Sequence, residues 1–234
     1  KTDPTDYFSG IFDGKGHKIS NVVFSNAAAN NYRGFFNQIV GGTVKNLTVE
    51  TTGFGTTSLP SGEYGCAAIA GAAYNAVIEN CVAEGTITGT HNVGGIVVRI
   101  RDTKLINCTN EADVTGSYTK VGGICVLVDK HSVATSLIEG CVNTGAITAK
   151  DGENAGRDGV AGIVAYTEGG ALTIRNCANE GFVGTKGTVS STAKVNQILA
   201  YPYKGTQTLI GNTIDISAAV RKAGKATTKL DFDS

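Results

Sequence analysis

Tryptophan and methionine are absent from the 234 residues, proline occurs only 3 times, and neither sign of charge prevails, 20 Lys and Arg standing against 20 Asp and Glu. Each shortage excludes something. Without a clustered basic excess there is no electrostatic footprint for nucleic acid. No run of eighteen apolar residues occurs, so no transmembrane helix is expected. The chain opens at Lys1 without the apolar core of a signal peptide, which reads as a cytoplasmic protein or as a mature or trimmed chain. Histidine is scarce as well. His17, His91 and His131 fall in separate parts of the chain, which speaks against a metal site or a triad. What is abundant is glycine, 32 residues, set among Val, Ile and Thr. That mixture favours strands and tight turns over helices.

One stretch invites a cofactor. In "GIFDGKGHKIS" (10–20) a lysine sits inside a glycine-rich loop. A phosphate-binding loop needs G-x-x-x-x-G-K-[ST] followed by a helix. Here Gly10 and Lys15 are one residue too close, Gly16 replaces the hydroxyl residue, and the β-branched run Ile19, Val22, Val23 follows. A calcium loop needs alternating oxygen ligands, and Asp13 stands nearly alone. We therefore expect a turn over Asp13–Gly16 with Lys15 in solvent, and no cofactor.

Internal repetition organises the rest. "IENCVAEGTITG" (78–89), "LINCTNEADVTG" (105–116), "IEGCVNTGAITA" (138–149) and "IRNCANEGFVGT" (174–185) are copies of one unit, with cysteines at 81, 108, 141 and 177. Weaker copies place Leu47 and Thr213 in the cysteine position. A second block lies between them: "VGGIVV" (93–98), "VGGICV" (121–126), "VAGIVA" (160–165) and "VNQILA" (195–200). Short strands at a variable period, with length changes confined to polar stretches, describe an all-β parallel solenoid. Equivalent residues then stack in columns about 4.8 Å apart. Cys81, Cys108, Cys141 and Cys177 read as an inward column of free thiols, since Leu and Thr substitute for them as in a packing site. Asn46, Asn80, Asn107 and Asn176 read as an asparagine ladder at a left-handed bend. Gly94-Gly95 and Gly122-Gly123 mark a corner without room for side chains.

The opening "FSGIFDGKGHKISNVVF" (8–24), then "YRGFFNQIVGGTVKNLTV" (32–49), then the V-G-G-I-V blocks followed by N-C, resemble the GLUG-repeat proteins over the chain to about residue 216. The resemblance implies a right-handed parallel β-helix, pectate-lyase-like and of about seven coils. It also implies an exported protein of the cell surface or the medium, often a lipoprotein or adhesin-like protein, of Bacteroides-type gut bacteria or some Gram-positive pathogens. "VNQILA" departs from the pattern by lacking both glycines. The family supplies no catalytic residue to carry over. Residues 1–216 are thus read as the repeat domain and 217–234, "SAAVRKAGKATTKLDFDS", as a cap or linker tail.

Counting from the valine that opens each V-G-G-I block predicts which side chains share a face. Six residues on stand Arg99, Leu127, Tyr166 and Tyr201; eight on stand Arg101, Asp129, Glu168 and Tyr203. Alternation puts these outside and Val98, Val126, Ala165, Ala200, Ile100, Val128, Thr167 and Pro202 inside. The strip, with His131 close by, admits three readings. Arg99, Tyr166, Tyr201 and Tyr203 could hold a glycan or a host or bacterial surface protein, the tyrosines by stacking. Asp129 and Glu168, with Arg101, could serve a polysaccharide hydrolase or lyase. Or the strip is ordinary surface on a rigid spacer. We expect a non-enzymatic adhesin-like or binding module, extracellular or on the cell surface, with no catalytic residue, metal or cofactor assigned.

Overall fold

A computed structural model describes residues 7–24, 32–54, 65–130, 135–151, 153–215, 221–222 and 225–226. Among them there is no helix, and the strands form one 17-stranded sheet and two six-stranded sheets. All pairings are parallel but one: Arg221–Lys222 and Lys225–Ala226 pair antiparallel, and the first joins the long sheet through Gly184↔Arg221. The rest of the 217–234 tail lies outside the described residues, as does His131. The chain thus forms a β-helix-like solenoid in which each repeat adds a strand to every sheet.

The columns explain why the sequence repeats. Val44, Ile78, Leu105, Ile138, Ile174 and Leu209 are successive partners on the long sheet. All but Leu209 are buried. Each such side chain contributes about 1.5–3 kcal/mol by leaving water. Val93, Val121, Val160 and Val195 are successive partners on one short sheet, the first three buried and Val195 half-buried. Next to the first column, Leu47, Cys81, Cys108, Cys141 and Cys177 are buried, and all six cysteines are free. The thiol of each repeat points at a carbonyl of the repeat before, as from Cys108 to Ile78 at 3.5 Å and Cys141 to Leu105 at 3.6 Å. The last copy needs a correction. Arg175 pairs with Ile210 and Ala178 with Thr213, so Asn212, not Thr213, occupies the cysteine position. The Asn212 amide donates to the carbonyl of Ile174 and accepts from the Cys177 N–H.

The bend ladder is left-handed, as expected. Asn46, Asn80, Asn107 and Asn176 have φ between 50° and 53°, and Gly140 and Gly211 fill the same place at 62°. Asp13 begins this ladder, accepting from Asn46 Nδ2 at 2.9 Å and from the Lys15 N–H at 3.0 Å. Those bonds, the Asn46 bond foremost, hold its carboxyl well below the usual carboxylate range. The expected turn at Asp13–Gly16 is a bulge inside the long strand Ile11–Phe24. Lys15 and Gly16 both take positive φ there, and the pairing skips from Asp13↔Lys45 to His17↔Leu47. Lys15 is solvated, its ammonium 3.1 Å from Asp13.

A second ladder was not foreseen. Asn110, Asn143 and Asn179 are fully buried; the Asn110 side-chain N–H₂ donates to the Asn143 amide oxygen and that of Asn143 to Asn179, both at 2.7 Å. Each also donates to a carbonyl two residues on, those of Ala112, Gly145 and Gly181. This is why the second glycine of V-G-G-I must be glycine. A Cβ on Gly95, Gly123 or Gly162 would lie 2.0–2.4 Å from the amide oxygen of Asn110, Asn143 or Asn179. In "VNQILA" the same position is Gln197, whose side-chain oxygen accepts from Asn179 Nδ2. Where the ladder runs out of asparagines, since Ile214 pairs with Asn179, the repeat departs from its pattern to close it.

Candidate functional site

The strip lies on the six-stranded sheet of Phe36–Val40, Ala70–Tyr74, Val97–Arg101, Cys125–Val128, Val164–Thr167 and Leu199–Pro202. Its register is the predicted one: Arg99↔Leu127↔Tyr166↔Tyr201 are successive partners. Asp129 and Glu168 follow one residue beyond their strands, their N–H groups bonded to the carbonyls of Ile100 and Val128. The same register adds Tyr74 beside Arg101, a neighbour the count had not reached.

The inner set differs from strict alternation. Ile100 and Val128 join the main core, and Thr167 is buried with its hydroxyl on the Lys204 carbonyl. Val98, Val126 and Ala165 are buried too, but in a separate small cluster with Ala67, against which Tyr32 packs. Val97 and Ile100, three residues apart, both reach the core. Period two cannot place both inside, and Val98 between them packs in the Ala67 cluster instead. Pro202 is exposed on the last strand, where a missing N–H costs no ladder bond.

Arginines occupy the middle of the strip. Arg99 Nη2 lies 2.5 Å from Asp129 Oδ1, and Arg99 Nη1 donates to the Tyr32 hydroxyl at 3.1 Å. Arg101 stands 3.8 Å from the other Asp129 oxygen with its guanidinium 4.6 Å from the Tyr74 ring centre. Burial opposes the Arg99 charge, but Asp129, with Tyr32 and Tyr74, outweighs it and raises the Arg99 pKa. Asp129 itself is 6% exposed. Its carboxylate is engaged by two guanidiniums rather than presented to a ligand.

At the other end three tyrosines touch one another. Tyr166 meets Tyr201 edge to face at 5.2 Å and Tyr203 nearly parallel at 5.8 Å, and Tyr201 meets Tyr203 at 5.7 Å. Exposure grows outward from 9% at Tyr166 to 49% at Tyr203. Tyr166 is therefore the seat of the cluster and Tyr203 its tip. Burial first, then the Glu168 and Asp158 carboxylates, raise the Tyr166 phenol, which keeps its proton to donate. Sequence counting found all three tyrosines because they sit within eight residues of a repeat anchor. It missed the lysines on their rings, Lys120, Lys194 and Lys204, because Lys120 and Lys194 precede their anchors.

No protein-family model matches this chain, and no curated protein matches it. The likeness is one of fold. A crystal structure of a Bacteroides ovatus protein described as a "putative immunoglobulin A1 protease" superposes with a TM-score of 0.70 at 21% identity. The likeness covers 95% of this chain and 65% of that one. Among the described residues no group of three or more His, Cys, Asp or Glu could hold a metal ion. No helix of the described residues is long and apolar enough to cross a membrane.

Proposed function

We propose that this chain is an exported bacterial surface module of the GLUG-repeat type, a right-handed β-helix of about seven coils that binds glycans without cleaving them. The right hand follows the strong preference of parallel crossover connections. The Bacteroides protein of similar fold supports an origin of this kind. The observation that carries the binding role is the tyrosine cluster, in which Tyr166, only 9% exposed, seats Tyr201 on the adjacent strand and the more exposed Tyr203 just beyond that strand's end. Tyrosine presents an apolar face and a hydroxyl together, the combination a sugar ring requires. Rigid strands fix the rings before the ligand arrives, so little freedom is lost on binding.

The hydrolase reading is weaker. It needs two carboxylates facing one glycosidic bond about 5–5.5 Å apart, and Asp129 is tied to Arg99 and Arg101. Peptide cleavage belongs to the description of the Bacteroides protein, with which this chain shares a fold. The test is a broad glycan array beside a product assay on the same polysaccharides and on immunoglobulin A1. Wild type is compared with Tyr201→Ala, Tyr203→Ala. Retention that the variant loses, with no product formed, is the expected result. Product formation by the wild type, or retention that survives the double change, would overturn the reading.

A further inference from the structure

Each of the three rings carries an ammonium group. Lys120 Nζ lies 4.8 Å from the Tyr166 ring centre, Lys194 Nζ 3.7 Å from that of Tyr201, and Lys204 Nζ 5.0 Å from that of Tyr203. These lysines come from three different repeats, yet they converge on one cluster. Along the strip as a whole the cations Arg99, Arg101, Lys120, Arg157, Lys194 and Lys204 are joined by ion pairs, ring contacts or a backbone hydrogen bond. The carboxylates bound up with them are Asp129, Asp158 and Glu168. Six cations thus face three carboxylates in a chain whose net charge is zero. On the long sheet, by comparison, Lys18 is shared between Glu50 and Glu84, and Arg175 is matched by Glu139.

Resting on the glycan reading, we infer that the ligand is an anionic glycan, a polymer carrying uronate carboxylates or sulfate esters, held with its sugar rings on Tyr201 and Tyr203 and its anions on Lys194 and Lys204. The reason is competition for the ring faces. A neutral sugar stacking on Tyr201 must push the ammonium of Lys194 off the ring and leave it without its electrostatic partner. An acidic sugar brings a new partner for the same ammonium as it takes the ring. The lysines therefore discriminate between the two classes, and the tyrosines do not.

The experiment is affinity electrophoresis of the whole chain through gels holding polygalacturonate, dextran sulfate, or neutral xylan and dextran, at low and at moderate salt. Retardation by a carboxylated or a sulfated polymer, reduced by salt, is expected, and which of the two retards identifies the anion. Lys194→Gln, Lys204→Gln should weaken it about tenfold, the effect of losing two partly solvated charge contacts. Lys204→Gln alone should weaken it less and leave the melting temperature unchanged. Lys104→Gln, exposed on the long sheet, should change nothing. Retardation by xylan or dextran that ignores salt and the lysine changes overturns the inference and leaves the glycan reading standing. Absence of retardation in all four gels overturns both.

Discussion

Replacing Asn143 by alanine removes the middle rung of the buried amide ladder, and the structure sets the size of the loss. Asn143 accepts from Asn110 at 2.7 Å and donates to Asn179 at 2.7 Å and to the Gly145 carbonyl at 2.9 Å. Three buried hydrogen bonds at about 1 kcal/mol each amount to about 3 kcal/mol. The amide groups of Asn110 and Asn179 are then left facing a space with no partner, which adds about 1–2 kcal/mol. The expected cost is about 4–5 kcal/mol, or roughly 10–15 °C in melting temperature for a chain of this size. Urea unfolding followed by far-ultraviolet circular dichroism measures it. Asn80→Gly is the control, because it breaks only the exposed rung to Asn46 and keeps a residue suited to positive φ. It should cost under about 1 kcal/mol. A loss at Asn143 below about 1.5 kcal/mol, or no larger than that of the control, would refute the claim that the inner ladder holds the repeats together.

Three further outcomes follow from the same geometry. Gly123→Ala should destabilise by about 3 kcal/mol in the same assay, because the new Cβ would stand 2.1 Å from the Gly162 carbonyl and 2.4 Å from Asn143 Oδ1. Arg99→Ala should cost about 2–3 kcal/mol by leaving Asp129, nearly buried, with only the more distant Arg101. Burial pushes the Cys66 and Cys125 thiols up to about 12, against about 8.5 in an unfolded chain. A raised folded value gives stability that is full below the unfolded value and lost as pH climbs toward the folded one. The unfolding free energy should therefore hold to about pH 8.5 and then fall, by about 1.4 kcal/mol per pH unit for each such thiol, and the urea midpoint with it. A midpoint unchanged at pH 10 would contradict that burial.

The sequence made some of this legible and hid the rest for physical reasons. Strand register could be counted because each coil begins at the same valine, so Arg99, Leu127, Tyr166 and Tyr201 fell into line without coordinates. The count slipped by one residue at the C-terminal copy, where Gly211-Asn212 looks like a shifted N-C pair. The buried amide ladder went unseen because asparagine reads as a turn residue. Yet Asn110, Asn143 and Asn179 each stand two places after an inward cysteine, and period two puts them inside as well. The same rule failed at Leu127, expected on the outer face but buried to 1% exposure, whereas Val98, Val126 and Ala165 are buried as expected, in a cluster of their own. Lys120 and Lys194 stand one place before an anchor valine and Lys204 nine places after one, so a count running from the valine to its eighth successor passes over all three.

The most direct test of the binding face is a crystal structure of the chain with the polymer fragment that the array retains best. Sugar rings against Tyr201 and Tyr203, with the Arg99–Asp129 pair undisturbed, are the predicted result. A ligand seated on the long sheet or at an end of the stack would contradict it.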